Sequence, residues 1–315
     1  MKKLLSLLLA LVLVFSLVAC STDGNETQGE TSTETQTEGN TETDNGSEDD
    51  SSNTGKAEGS IAVVSREDGS GTRSAFVEIV GVVDDNDNDL TTQTAIIQDG
   101  TGKVIETVSG DNSSIGYISL GSLDGSNVKG LKVDGVEVTP ENVLSGEYAI
   151  QRPLNIVYKE GSLSDLAQDF VNYIMSKEGQ DIAVEKGFVQ ADPNAKAYEG
   201  AEGLSGEITV SGSTSVAPLM EAVAEAYESL HQGVKVVINA TGSSAGIKDA
   251  EAGVVNIGMA SRELKDEEKA QVASLAIAKD GIAVVVSKDN PTEEISLESV
   301  KKIFLGEITD WADVK

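Results

Sequence analysis

The sequence predicts an α/β fold with a mainly parallel sheet, and three observations carry that prediction. Short β-branched runs alternate with stretches of helical spacing. The loops between them are rich in Gly, Ser and Thr. Aromatic residues make up only 4% of the chain, against 32 glycines. Strand–helix alternation of this kind favours parallel pairing, because each helix returns the chain to the same end of the sheet. In chain order, residues 61–65 read as a strand. Phe76, Ile79, Val80 and Val83 then recur at helical spacing, and so do Leu166, Phe170, Val171 and Ile174. Residues 208–210 form the next strand, before a helix marked by Leu219, Val223, Ala226, Tyr227 and Leu230. Residues 234–240, 256–261 and 281–287 complete the strands.

Three loops, each after a strand and before a helix, carry the candidate chemistry. The first is Gly69-Ser70-Gly71-Thr72, preceded by Arg66-Glu67-Asp68. The second is Ser211-Gly212-Ser213-Thr214-Ser215, leading to Pro218 in a first helical turn. The third is Thr241-Gly242-Ser243-Ser244-Ala245-Gly246. A helix start leaves backbone N–H groups unpaired and carries partial positive charge, so it attracts anions. Glycine admits close backbone approach, and small hydroxyls add donors. Any one loop alone reads as an ordinary capped turn. Three of them, with Arg66 beside the first, point to an oxyanion site.

The N-terminus is of a different kind. Lys2 and Lys3 precede an apolar run over 4–18 that ends in Leu17-Val18-Ala19-Cys20. This is a secretory signal, shorter than the ~20 residues of a membrane-spanning helix. Cys20 is the sole cysteine. Leu-Val-Ala-Cys resembles the lipobox of bacterial lipoproteins, which implies removal of the signal peptide, residues 1–19, and a lipid on Cys20 holding the protein to the extracytoplasmic side of the cell membrane. Residues 20–58 hold almost only Thr, Glu, Asp, Ser, Asn and Gly, and read as a disordered acidic tether. Its span is on the order of 35 Å.

The formal charge of −30 argues against nucleic acid as a partner. An enzyme such as a phosphatase needs a nucleophile–base pair or metal ligands. The chain offers a single histidine, His231, and no metal-ligand spacing. Gly-Ser-Gly-Thr also lacks the Gly-Lys of a nucleotide P-loop. No enzymatic activity, cofactor or metal is expected.

Several segments together resemble the phosphate-binding protein of the bacterial phosphate ABC transporter. They are Gly-Ser-Thr-Ser-Val-Ala-Pro-Leu-Met (212–220), Gly-Met-Ala-Ser-Arg-Glu (258–263), Ala-Lys-Asp-Gly-Ile-Ala-Val (278–284), Ile-Phe-Leu-Gly-Glu-Ile-Thr-Asp-Trp (303–311), Ser-Arg-Glu-Asp-Gly-Ser-Gly-Thr-Arg (65–73), Ile-Gly-Tyr (115–117) and Arg-Pro-Leu (152–154). Their order departs from the family's. There the Gly-Ser-Thr-Ser segment comes first, and the Trp segment runs into Ser-Arg-Glu-Asp-Gly-Ser-Gly-Thr. The chain therefore reads as a circular permutant, with a fragment of a tandem array as the competing reading.

The resemblance implies a two-lobed periplasmic-binding-protein-like clamshell of type II. One lobe is assembled from both chain ends, 59–150 plus 284–315, and the other is continuous over 151–283. Hinge crossings are expected near residues 156–158 and 282–286. It also implies phosphate contacts from Arg66, Ser70, Gly71, Thr72, Thr214, Ser215 and Ser243. Asp68 is expected to orient Arg66. One branch of the family favours phosphate over sulfate with a carboxylate after the Ala-Ser pair. Arg262 stands there in this chain, expected as a surface or inter-lobe ion-pair partner, and the carboxylate role passes to Asp280, whose other reading is a turn aspartate. The implied partners are inorganic phosphate and the permease subunits of an ABC importer, with the binding protein a monomer. Two alternatives stay open: a binder of another tetrahedral oxyanion such as sulfate or molybdate, and a surface sensor or scavenger uncoupled from transport.

Overall fold

The structure, a computed structural model, describes residues 57–315. The signal peptide, Cys20 and the tether up to residue 56 lie outside the described residues. Ala57, expected within the tether, is buried, and its N–H donates to Thr292 Oγ1.

The chain first forms β1 (Ala62–Arg66), α1 (Gly71–Val80), β2 (Ile96–Gln98), α2 (Thr101–Ser109), β3 (Ser114–Ser119), β4 (Val128–Gly130), β5 (Lys132–Val133) and α3 (Pro140–Ser145). It continues through β6 (Gln151–Tyr158), α4 (Asp165–Ile174), α5 (Lys177–Glu185), β7 (Val189–Gln190), β8 (Ser205–Gly212), α6 (Ala217–Leu230), β9 (Gly233–Asn239), α7 (Ser243–Glu251), β10 (Ile257–Ala260) and α8 (Asp266–Lys269). A long β11 (Ala273–Ser287), β12 (Glu294–Ile295) and α9 (Leu297–Leu305) close it.

Two large hydrophobic cores organise these elements, with a smaller cluster of Val157, Ile247, Ala250, Ala260, Leu264 and Val272 beside the second. The first gathers Val64, Phe76, Val104, Val108, Tyr117 and Val284 with Phe304 and Trp311 from the C-terminal end. Phe76 and Tyr117 stack at 4.0 Å between ring centroids, and Phe304 meets Phe76 edge-on at 4.7 Å. The second gathers Leu154, Ile156, Phe170, Ile174, Val210, Leu219, Val223, Tyr227 and Met259. The helical spacings read from the sequence thus mark faces that are buried, as amphipathic helices require. Val83 lies beyond α1, because Gly81 takes a left-handed φ of 78° and ends the helix.

The strands run β2-β1-β3-β11-β6-β10-β8-β9. Pairing is parallel within β2-β1-β3 and β10-β8-β9. It is antiparallel wherever β11 or β6 takes part. The sheet is therefore mixed rather than mainly parallel. The physical reason is that β6 carries the chain out of the first core and β11 brings it back, so these neighbours run in opposite directions. Residues 282–286 of β11 pair with β3, while 273–281 pair with β6. The Ile282 N–H donates to the Ile150 carbonyl at 2.8 Å. The chain thus passes between cores at Ile150–Gln151 and Gly281–Ile282. The stretch 156–158, expected as a hinge crossing, instead pairs with β10 and β11 inside the second core's sheet.

The two ends of the described segment meet. The Trp311 N–H donates to the Gly59 carbonyl at 2.8 Å, and the Ile61 N–H to that of Thr309 at 2.9 Å. Trp311 is buried, and its indole N–H donates to the Ser113 carbonyl.

Candidate oxyanion-binding site

Four helix starts converge where the two cores face each other: those of α1 and α2 from the first, and those of α6 and α7 from the second. Thr72 Oγ1 and Ser215 Oγ lie 2.9 Å apart across the gap. Arg66, at the end of β1, reaches over to donate from Nη2 to Thr214 Oγ1 at 3.0 Å. A Cβ placed on Gly71 would stand 2.3 Å from Ser243 Oγ, so only glycine fits between these loops. Arg66, Ser70, Thr72, Ser215 and Ser243 are all buried.

Local chemistry explains why each loop stops where it does. The Ser70 hydroxyl caps α1 by accepting the Arg73 N–H at 3.3 Å. That use occupies an acceptor position and leaves its O–H free to donate elsewhere. The Ser213 hydroxyl accepts the N–H groups of Ser215 and Val216 and donates to Ser261 Oγ at 2.9 Å. Ser261 in turn donates its N–H to Ser243 Oγ at 3.1 Å. Ser213 and Ser261 form a supporting layer behind these donors.

Arg66 is oriented by its neighbour. Glu67 accepts from Arg66 Nε and Nη2, both at 2.7 Å, and from the Gly100 N–H at 3.1 Å. Burial pushes the Glu67 carboxyl up, but the hydrogen bonds and charge of Arg66, with backbone N–H bonds, outweigh it and hold the pKa below the ordinary glutamate range. Asp68, expected in that orienting role, is exposed and pairs with Arg73 instead. Its side chain leaves the loop on the solvent side. Tyr117 accepts the Arg66 backbone N–H and shares a hydrogen bond with Ser65. Burial pushes its phenol up to about 12, so it stays neutral.

Asp280, expected as a carboxylate facing the anion, is placed differently. It sits directly opposite Arg152 on the neighbouring strand. Its Oδ2 accepts from Arg152 Nε and Nη2 at 3.0 and 2.8 Å, and its Oδ1 from the Ser119 hydroxyl and the Leu120 N–H at 2.9 and 3.1 Å. Both residues are buried. Burial raises the Asp280 pKa, opposed by Arg152 and these donors. Ser119 and Leu120 belong to the first core's side, so the pair bridges the two crossings. Arg152 also donates Nη1 to the Ser261 carbonyl at 3.0 Å, which joins the crossings to the supporting layer. Arg262 is neither on the surface nor between cores. It is buried and held by Glu268 at 2.7 and 2.8 Å within the second core's side.

The sequence-predicted residues Arg66, Gly71, Thr72, Thr214, Ser215 and Ser243 are thus brought together, with Ser70 at the cap beside them, and Asp280 stands apart. The site also includes Thr101, Ser213, Ser261 and Arg152, to which the sequence reading assigns no contact. Ser213, Ser261 and Arg152 lie inside the motifs that carry the family resemblance, so that signal is available for them. Thr101 is joined to the site only by tertiary contacts. The facing loops bring hydroxyls, one guanidinium and helix-start N–H groups close together, and donors of this kind attract an oxyanion. Among the described residues, no cluster of His, Cys, Asp and Glu could hold a metal ion.

Comparison with known proteins places this geometry. The PBP superfamily domain matches residues 42–178 and 197–315. The phosphate-binding protein PstS 2 of Streptococcus agalactiae serotype V is 46% identical over 270 residues, covering 84% of this chain and 90% of that protein. PstS 2 of Streptococcus pneumoniae serotype 4 is 46% identical over 262 residues, covering 82% and 89%. The crystal structure of a phosphate-binding protein of a phosphate ABC transporter from Streptococcus pneumoniae TIGR4 matches with a TM-score of 0.66 and 46% identity, covering 82% of this chain and 100% of that one. The chain belongs to the PBP superfamily and, within it, to the non-enzymatic phosphate-binding proteins of the PstS type.

Proposed function

We propose that this protein captures inorganic phosphate outside the cytoplasm and delivers it to the permease subunits of an ABC importer. The observation that carries this reading is the pair of contacts across the cores, Thr72 to Ser215 and Arg66 to Thr214. Hydroxyls that now meet each other can turn their protons to a shared anion. The names of the relatives support phosphate as that anion. Binding would proceed on one lobe and closure would complete the donor shell, with differential contacts shifting a pre-existing equilibrium.

The lobes in this reading are 59–150 plus 284–315, and 151–283. Core membership supports the division: the first core takes residues up to Ile150 and from Ile282 on, plus Val189. The permuted order belongs to this reading, and the contact of Trp311 with Gly59 is what supports it. The lipid on Cys20 anchors the protein, and it acts as a monomer. Replacement of Cys20 by Ser should release the protein from the membrane fraction, and retention would sink the anchor.

A second reading has a specific observation behind it. Glu67 and Asp280 are both engaged by arginines. Sulfate carries no proton, so an unpaired carboxylate beside the anion would repel it. A site with no such carboxylate would accept other tetrahedral oxyanions. Calorimetric titration with phosphate, sulfate and molybdate separates the readings. Arg66→Ala should weaken phosphate binding at least about tenfold, the worth of one charge-assisted hydrogen bond. Unchanged affinity in that variant removes Arg66 from the site, and sulfate binding as tight as phosphate overturns the phosphate reading.

A further inference from the structure

We propose that Thr101, at the start of α2, is a direct anion ligand, which adds a fourth loop to the binding site. The inference rests on the oxyanion reading above and goes beyond the residues that the sequence motifs supply.

Thr101 Oγ1 lies 3.3 Å from Thr214 Oγ1 and 3.5 Å from Arg66 Nη1. These two partners come from opposite cores, and both belong to the proposed donor shell. Thr101 is itself 93% buried, at 7% relative exposure, so its hydroxyl has protein rather than solvent to satisfy it. The contact to Arg66 is at the outer limit of hydrogen-bond distance, and that to Thr214 is longer than the usual hydroxyl pair. Thr101 is therefore held beside the donors without being saturated by them.

The backbone around Thr101 is fixed for this purpose. Gly100 takes a φ of 82°, a conformation that favours glycine. Its N–H is held by Glu67, the same carboxylate that grips Arg66. One side chain thus sets both the guanidinium and the α2 start. A Cβ on Gly100 would come within 3.6 Å of the Thr214 methyl, so the two loops are already in contact. An oxygen atom bound by Arg66 Nη2 and Thr214 Oγ1 would lie within reach of the Thr101 hydroxyl.

The test is calorimetry of phosphate binding to the mature protein with Thr101→Val and Thr101→Ser, beside Arg66→Ala. Valine keeps the shape and removes the hydroxyl, while serine keeps the hydroxyl. The expected result is a three- to tenfold weaker affinity in Thr101→Val and a change within about twofold in Thr101→Ser, in line with one neutral hydrogen bond. Wild-type affinity in Thr101→Val, with affinity lost in Arg66→Ala, overturns the role of Thr101 and leaves the phosphate reading intact. Absence of phosphate binding in the wild type overturns the phosphate reading itself. A crystal structure of the phosphate complex provides a readout independent of folding. It supports the proposal if Thr101 Oγ1 bonds the anion, and sinks it if that hydroxyl bonds only Thr214.

Discussion

The Arg152–Asp280 pair allows one perturbation to be worked out in detail. Replacement of Asp280 by Asn keeps the shape but removes the negative charge. Arg152, with a side chain only 1% exposed, is then a buried cation without a counter-ion. If the amide nitrogen takes the place of Oδ2, it faces Nε and Nη2, which are donors. If the amide is flipped, it faces the Ser119 hydroxyl and the Leu120 N–H, and the latter can only donate. Neither orientation satisfies the site. Breaking a buried pair from one side costs about 3–5 kcal/mol. For a domain of this size that corresponds to a fall in Tm of roughly 6–20 °C. Thermal and urea unfolding followed by circular dichroism would measure it. A double variant, Arg152→Met with Asp280→Leu, removes both charges and leaves the Ser119 and Leu120 donors without their acceptor. It should lie only about 1–3 kcal/mol below wild type and above the single variant. The phosphate-to-sulfate affinity ratio should stay unchanged in Asp280→Asn, since both carboxylate oxygens are used within the protein. A single variant within about 1 kcal/mol of wild type would refute the structural role, and a shifted ratio would put Asp280 on the ligand.

Other consequences follow from the same geometry. Gly71→Ala places a methyl against Ser243 and Ser261, and overpacking of about 1–3 kcal/mol would weaken phosphate binding by roughly 5- to 150-fold; unaltered calorimetric affinity would show that the loops do not close on each other. Glu67 has a lowered pKa, so its stabilising contribution is present above the ordinary glutamate value and is lost as pH falls through the folded one. Urea midpoints measured from pH 6 down to pH 3 should therefore fall less steeply in Glu67→Gln than in wild type, and parallel curves would remove Glu67 from the acid response. Trp311→Ala empties a buried site that ties the C-terminal end to β3 and should cost about 3–5 kcal/mol in denaturant unfolding. A loss below about 1 kcal/mol would mean that the Trp311 segment does not help to hold the first core.

Much of this fold was legible because local pattern and tertiary role agree. Phe76 with Val80, and Phe170 with Ile174, sit at helical spacing and bury their faces against the cores. The three loops were legible for a similar reason, since a Gly-Ser-Thr cluster between strand and helix is a local signal of a helix start. Strand direction was not legible. Nothing in the run from Ala273 to Ser287 says that its first part pairs with one core's sheet and its last part with the other's. Asp280 shows the same limit at a single residue. Its Lys-Asp-Gly context reads as a turn, yet the chain runs straight on through β11, and Asp280 meets Arg152 from 128 positions away in sequence. Asp68 and Glu67 are adjacent in sequence, and only the direction of their side chains in the turn after β1 decides which of them reaches Arg66.

How a chain of formal charge −30 can hold an anion is answered locally. Charge on the surface is screened within about 10 Å at ordinary ionic strength. Around the loops, each of four arginines is matched by a carboxylate: Arg66 by Glu67, Arg73 by Asp68 and Asp89, Arg152 by Asp280 and Arg262 by Glu268. The site is therefore close to neutral before it binds, and the field on the anion comes mainly from dipoles. Hydroxyls and the first N–H groups of α1, α2, α6 and α7 supply these, and they keep their orientation because the helices are packed in the two cores. A site built this way should respond weakly to salt. The affinity for phosphate should change by less than about threefold between 50 and 500 mM sodium chloride, whereas a site that relied on unpaired cations would lose much more. A steep salt dependence in calorimetry would mean that Arg66 is released from Glu67 on binding, and that net charge rather than fixed dipoles holds the ligand.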